Sequence, residues 1–248
     1  MKISSESENS DLENVTAPQN DVERWIIATY AMWSEYYSEG DWQYIAGSSV
    51  KAENASNMQL MLSRDWAINT KEDLLDMVMF LTALYEDEED VDPEDIITGG
   101  WDLCRACQIL GMAFVAGIIS RDEMLGVSLM VCSLIQYYYP SWVHLYSSYL
   151  NGYREWRLEE DDEYDDDEDG DDEDDDTDDE YDDDADDDEY DDADDDDEDE
   201  DDDYDEEALA DVEAREEICR HLLTMPNGPC SVPWDLELPF EFDEEEEE

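Results

Sequence analysis

The chain has 248 residues, 80 of them acidic and only 11 basic, which gives a formal net charge of −69 at neutral pH. Nucleic acid and anionic lipid are held by Lys and Arg, so both are excluded as expected partners. The charge would instead draw in a basic protein.

Residues 1–20 are rich in Ser, Glu and Asn and read as a flexible lead-in. Met1, Lys2 and Ile3 run directly into polar residues without an apolar core segment, so cytoplasm is the expected compartment. Over residues 22–37, Trp25, Ile26, Thr29, Met32, Trp33, Tyr36 and Tyr37 follow a helical period, which Gly40 ends. Residues 41–57 read as a loop, with a helix over 52–64. Trp66, Ala67 and Ile68 then link to Thr70, a cap for a helix carrying Leu74, Met77, Val78, Leu81 and Leu84. The acidic run 86–90 and Pro93 form a surface connector, and Gly99-Gly100 gives the backbone freedom to turn into Trp101.

From Trp101 the pattern strengthens. Leu103, Cys107, Leu110, Phe114 and Ile118 recur at helical intervals, with Asp102 and Arg105 on a neighbouring face. Ala113, Ala116 and Gly117 would let another helix approach closely. Ser120 and Glu123 match a capping box, so a second helix begins there and runs to Tyr139, where Pro140 ends it. Ser141 can cap a third helix, on which Trp142, Tyr146, Tyr149, Tyr153 and Trp156 form an aromatic stripe. The longest apolar run, 109–119, falls well short of the ~20 residues a bilayer span needs.

Trp101, Asp102 and Arg105, then Gly117 to Ser120, then Ser141, Trp142, Tyr149, Gly152 and Trp156 resemble the bacterial domain-of-unknown-function family 1266. Leu62, Trp66, Ile68 and residues 70–74 resemble its earlier segment, so the likeness covers roughly residues 25–158. The resemblance implies a helical domain and supplies no activity. The acidic run 86–90 departs from the more mixed connector of similar proteins.

Residues 159–207 hold 41 of the 80 acidic residues in 49 positions and no basic one. Such a tract cannot collapse and reads as a disordered, solvated spacer; the sharper alternative is a lure for a basic partner. Residues 208–224 read as a short helix. The tail beyond, with Trp234, Leu236, Leu238, Phe240 and Phe242, either folds back on the helical domain or docks on another protein. The predicted organisation is thus an all-α domain over 21–158, the acidic tract, and a helix with a tail over 208–248.

The five cysteines are odd in number and irregularly spaced, which points to free thiols. Cys104 and Cys107 form the only CxxC; without a second ligand pair it reads as two core residues rather than a zinc or redox site. No cofactor or metal is expected. Candidate ligand or partner-binding residues are Trp101, Asp102, Arg105, Trp142, Tyr149, Tyr153 and Trp156. For each, a framework role competes: an ion pair for Asp102 and Arg105, core packing for the aromatic stripe. The sequence favours a non-catalytic protein-binding module; the alternative is an enzyme of unassigned reaction with a pocket around Asp102 and Arg105.

Overall fold

The computed structural model describes residues 16–38, 41–48, 52–85, 91–162 and 201–239, and every regular element among them is helical. The helix predicted over 22–37 is two helices, α1 (Asp21–Thr29) and α2 (Ala31–Ser38). Asn20 caps α1 by accepting from the Glu23 amide at 2.9 Å. The break falls at Tyr30 for a local reason. The Thr29 hydroxyl donates to the Ile26 carbonyl at 2.7 Å, competing with the ladder, while the buried Tyr30 hydroxyl accepts from the Ala46 amide at 3.3 Å. Two short 3₁₀ turns, Asp41–Gln43 and Ile45–Gly47, lead towards α3 (Ala52–Trp66). The predicted capping box opens α4 (Lys71–Thr82): Thr70 accepts from the Asp73 amide, and Asp73 accepts from the Thr70 amide. Pro93 is not part of a connector but the first residue of α5 (Pro93–Thr98), where its missing N–H costs nothing.

The next three helices are α6 (Gly100–Ala116), α7 (Arg121–Tyr138) and α8 (Trp142–Asp162). α6 packs against α3, α4, α7 and α8, and it is buried nearly all round rather than along one stripe. Leu103, Cys107 and Leu110 are in the core as predicted, but so are Ala106, Ile109, Met112 and Ala113, whereas Phe114 and Ile118 are only half-buried. A helix apolar on every side belongs at the centre, and its neighbours supply the walls. Gly100 serves this crowding rather than chain freedom, since a Cβ there would lie 2.9 Å from the Leu145 carbonyl. Its amide, one of the orphan donors of a helix start, is taken by Ser148 Oγ at 2.8 Å. Gly117 does not admit a neighbouring helix; at φ 78° it closes α6, with the Ile118 amide donating to the Ala113 carbonyl at 2.9 Å.

Ser120 and Glu123 form the predicted box at the start of α7. The Glu123 carboxylate accepts from Lys71 at 2.6 Å and from the Ser120 amide and hydroxyl, each at 2.7 Å, which lowers its pKa from 4.5 to about 2. A carboxyl lowered on folding stabilises above its unfolded pKa and stops doing so as pH falls through the folded value. The difference in melting temperature between the wild type and Glu123→Gln is therefore expected to be full at neutral pH and to fade between pH 4.5 and about 2. A difference constant across that range would show that the contacts do not form.

α9 (Asp201–Thr224) starts seven residues earlier than predicted and packs against α8 and α2. Val212, Cys219 and Leu222 belong to the same core as α6. Of the two alternatives for the tail, folding back is the one seen. Val232 accepts from the Trp142 indole at 3.0 Å, Trp234 from the Trp25 indole at 3.2 Å, and Gln136 donates to the Trp234 and Leu236 carbonyls at 2.6 and 3.0 Å. The predicted lead-in up to residue 15, most of the predicted acidic spacer (163–200), and Phe240 and Phe242 lie outside the described residues. Among the described residues no helix is long and apolar enough to cross a membrane.

Candidate functional site

α2, α3, α6, α8 and α9 enclose a cavity of about 640 Å³. Trp101 and Arg105 come from α6, Tyr153 and Trp156 from α8, and Asp211 and Arg215 from α9; α2 and α3 add Tyr36 and Trp66. The aromatic wall is continuous, because the Trp101 ring lies 5.0 Å from Tyr149, 5.1 Å from Tyr153 and 5.8 Å from Trp156. Helical spacing on α8 stacks these three residues on one face, and Gly152 lets that face press onto α5 and α6. A Cβ at Gly152 would stand 2.3 Å from the Thr98 carbonyl oxygen and 2.7 Å from Trp101 Cβ.

Each of two arginines is held between two rings. The Arg105 guanidinium lies 4.5 Å from the Trp101 ring centroid and 5.4 Å from that of Trp66, and it donates from Nη2 to Asp102 one turn back. Asp102 and Arg105 thus form the predicted framework pair, while the same arginine lines the cavity. The Arg215 guanidinium lies 4.0 Å from the Tyr153 ring and 4.2 Å from Tyr36, and its Nη1 donates to the Tyr149 hydroxyl at 3.3 Å. Arg215 is 7 % exposed. Burial opposes its charge, but Tyr149, Tyr153 and Asp211 more than offset this and raise its pKa.

Asp211 accepts from the Tyr36 hydroxyl at 2.6 Å and from Tyr153, and lies 3.7 Å from Arg215 Nε. Burial would raise the Asp211 carboxyl; the two hydroxyls and Arg215 outweigh it and hold the group low. Burial and the Asp211 carboxylate together push Tyr153 up to about 12. At neutral pH the cavity floor is therefore a carboxylate with two tyrosine donors beneath a guanidinium. Three buried N–H groups on cavity-lining residues have no acceptor among the described residues: Trp101 Nε1, Arg105 Nε and Arg215 Nε.

The structure brings together six of the seven candidate residues. Trp101, Arg105, Tyr153 and Trp156 line the cavity, with Asp102 and Tyr149 directly behind them. Trp142 is elsewhere: its ring lies 4.7 Å from Trp25 and 4.8 Å from Trp234, in the cluster that holds the tail. It shares the helical stripe with Tyr149 and Tyr153, but two turns of helix carry it to the other end of α8. Sequence reasoning missed Asp211 and Arg215, although their four-residue spacing on a predicted helix could have drawn notice. Cys104 and Cys107 are buried inside α6, where burial pushes the Cys104 thiol well above its usual range.

Fold and site together define an all-α protein with one aromatic cavity gripped by clamped arginines. The chain belongs to the family described as protein of unknown function (DUF1266), whose model matches residues 70–240. That match extends past residue 158, where the resemblance in the sequence ended, and takes in Asp211 and Arg215 as well as Trp101 and Arg105. No curated protein and no solved structure matches the chain.

Proposed function

We propose that the protein works by binding, and that the cavity between α2, α3, α6, α8 and α9 holds a small molecule. The observation that carries this is the convergence of three unpaired N–H donors on one cavity in a chain with only 11 basic residues. A buried donor without a partner costs about 1–3 kcal/mol, so a ligand that supplies acceptors removes a standing cost. The volume suits a small molecule, and the lining combines aromatic walls with a few fixed polar groups, as ligand sites do. A reaction at Asp102 and Arg105 has less support, because the Asp102 carboxylate is already engaged by Arg105.

Quenching of tryptophan fluorescence by a panel of flat small molecules, neutral and charged, tests the proposal. Binders are expected to lose about tenfold in affinity in Trp156→Ala, a change of about 1.4 kcal/mol at a ring that is 39 % exposed. No binder in the panel, or binders indifferent to this substitution, would remove the cavity as the site.

One observation favours a second partner: with 41 acidic residues in positions 159–207, the chain would attract a basic protein in the cytoplasm. Replacing residues 163–200 by a neutral linker of equal length is expected to abolish association with a lysine-rich protein at low salt. Association that survives the replacement or moderate salt would count against this role.

A further inference from the structure

We infer that the ligand is a flat aromatic molecule carrying one oxyanion, a carboxylate or a phosphate monoester, read by the edges of Arg105 and Arg215. This rests on the cavity being the binding site and adds what it recognises.

Unsatisfied chemistry on the walls is of one kind. Trp101 Nε1, Arg105 Nε and Arg215 Nε are donors, so an acceptor is what the lining lacks. A cationic ligand would need aromatic faces or carboxylates, and these are already in use. Arg105 covers faces of Trp66 and Trp101, and Arg215 covers those of Tyr36 and Tyr153. Asp211 is taken by Tyr36, Tyr153 and Arg215, and Asp65 by Arg64.

The clamps also settle geometry. Stacking between rings fixes the plane of each guanidinium, and the bonds to Asp102 and Tyr149 fix its rotation within that plane. What remains for a ligand on each arginine is the Nε–H edge, part of the fork that matches the two oxygens of an oxyanion. Lysine, a point charge on a flexible stem, could not replace it.

The whole-chain charge narrows the class further. A field from −69 repels anions at a distance, so recognition must come at contact, from desolvated donors, and a polyanion is penalised most. A single oxyanion on an aromatic body suits a cavity walled by Trp101, Tyr153 and Trp156. Met61 and Met112, which adapt their shape, complete the lining.

Calorimetric titration of the full chain with 1-naphthoate, 1-naphthyl phosphate and the neutral 1-naphthamide tests this on one ring system. The oxyanion probes are expected to bind about tenfold or more tighter than the amide. Arg215→Lys is expected to erase that margin while leaving amide binding unchanged. Arg105→Lys, at a side chain 22 % exposed, gives the same comparison should the buried substitution fail to fold. Which oxyanion binds tighter distinguishes a carboxylic acid from a phosphate ester as the source. Equal binding of amide and naphthoate, or a margin that survives both lysine variants, overturns the oxyanion inference and leaves the cavity as the site. Oxyanion probes that fail where neutral flat molecules bind overturn it likewise. If nothing flat binds at all, both conclusions fall together.

Discussion

Trp142→Ala is expected to destabilise the protein by about 4 kcal/mol and to release the C-terminal tail. The Trp142 side chain is 6 % exposed and packs between Trp25 and Trp234. Its indole N–H is also the donor for the Val232 carbonyl at 3.0 Å. Truncation leaves a cavity bounded by two tryptophans and strips the tail of one of its anchors. The second anchor, the Trp25 indole on the Trp234 carbonyl, rests on the same cluster and is expected to loosen with it. Urea denaturation gives the stability change, and cleavage by a protease after residue 224 reports the tail. A loss under 1 kcal/mol with an uncleaved tail would mean that the tail is held by other contacts.

Gly152→Ala is expected to cost about 2 kcal/mol although it adds a single methyl to a helix. The new Cβ would stand 2.3 Å from the Thr98 carbonyl oxygen and 2.7 Å from Trp101 Cβ, and neither can swing away as a long side chain could. Overpacking of this kind costs up to about 3 kcal/mol, and the better helix propensity of alanine returns about 1. To relieve the clash α8 must move off α5 and α6, which pulls Tyr153 and Trp156 away from Trp101. Any ligand affinity at the cavity is therefore expected to fall together with stability. Gly126→Ala on α7 is the control: a Cβ there meets nothing within 4 Å, so it is expected to gain up to about 1 kcal/mol. Equal effects at the two glycines would contradict the close packing of α8 on α6.

Much of this architecture was legible in the residues. Capping boxes at Thr70 and Ser120 and the stop at Pro140 mark helix ends by local chemistry, so they stand in the structure where the sequence puts them. The split at Tyr30 was not legible, because a distant contact, the Ala46 amide on the Tyr30 hydroxyl, goes with a break in a periodic stretch. Nor was the role of Gly99 and Gly100: only packed neighbours reveal that they give space rather than freedom.

The site divides in the same way. Trp101, Arg105, Tyr153 and Trp156 announce themselves by spacing on two consecutive helices. Arg215 does not, since it reaches the cavity across an acidic tract in which helical spacing carries no information about distance in space. Trp142 shows the converse: a shared stripe puts residues on one face of a helix, yet along α8 that face serves the tail at one end and the cavity at the other.

The most direct test of the account is to follow the arginine Nε–H and tryptophan Nε1–H resonances by ¹⁵N NMR while 1-naphthoate is added to the full chain. Arg105, Arg215 and Trp101 are the predicted responders, the two Nε–H signals moving downfield as they gain an acceptor, while Trp25 and Trp142, already bonded to tail carbonyls, stay in place. Saturating shifts confined to those three would establish the cavity as an acceptor site. Unmoved Arg105 and Arg215 signals at concentrations where naphthoate binds would contradict it.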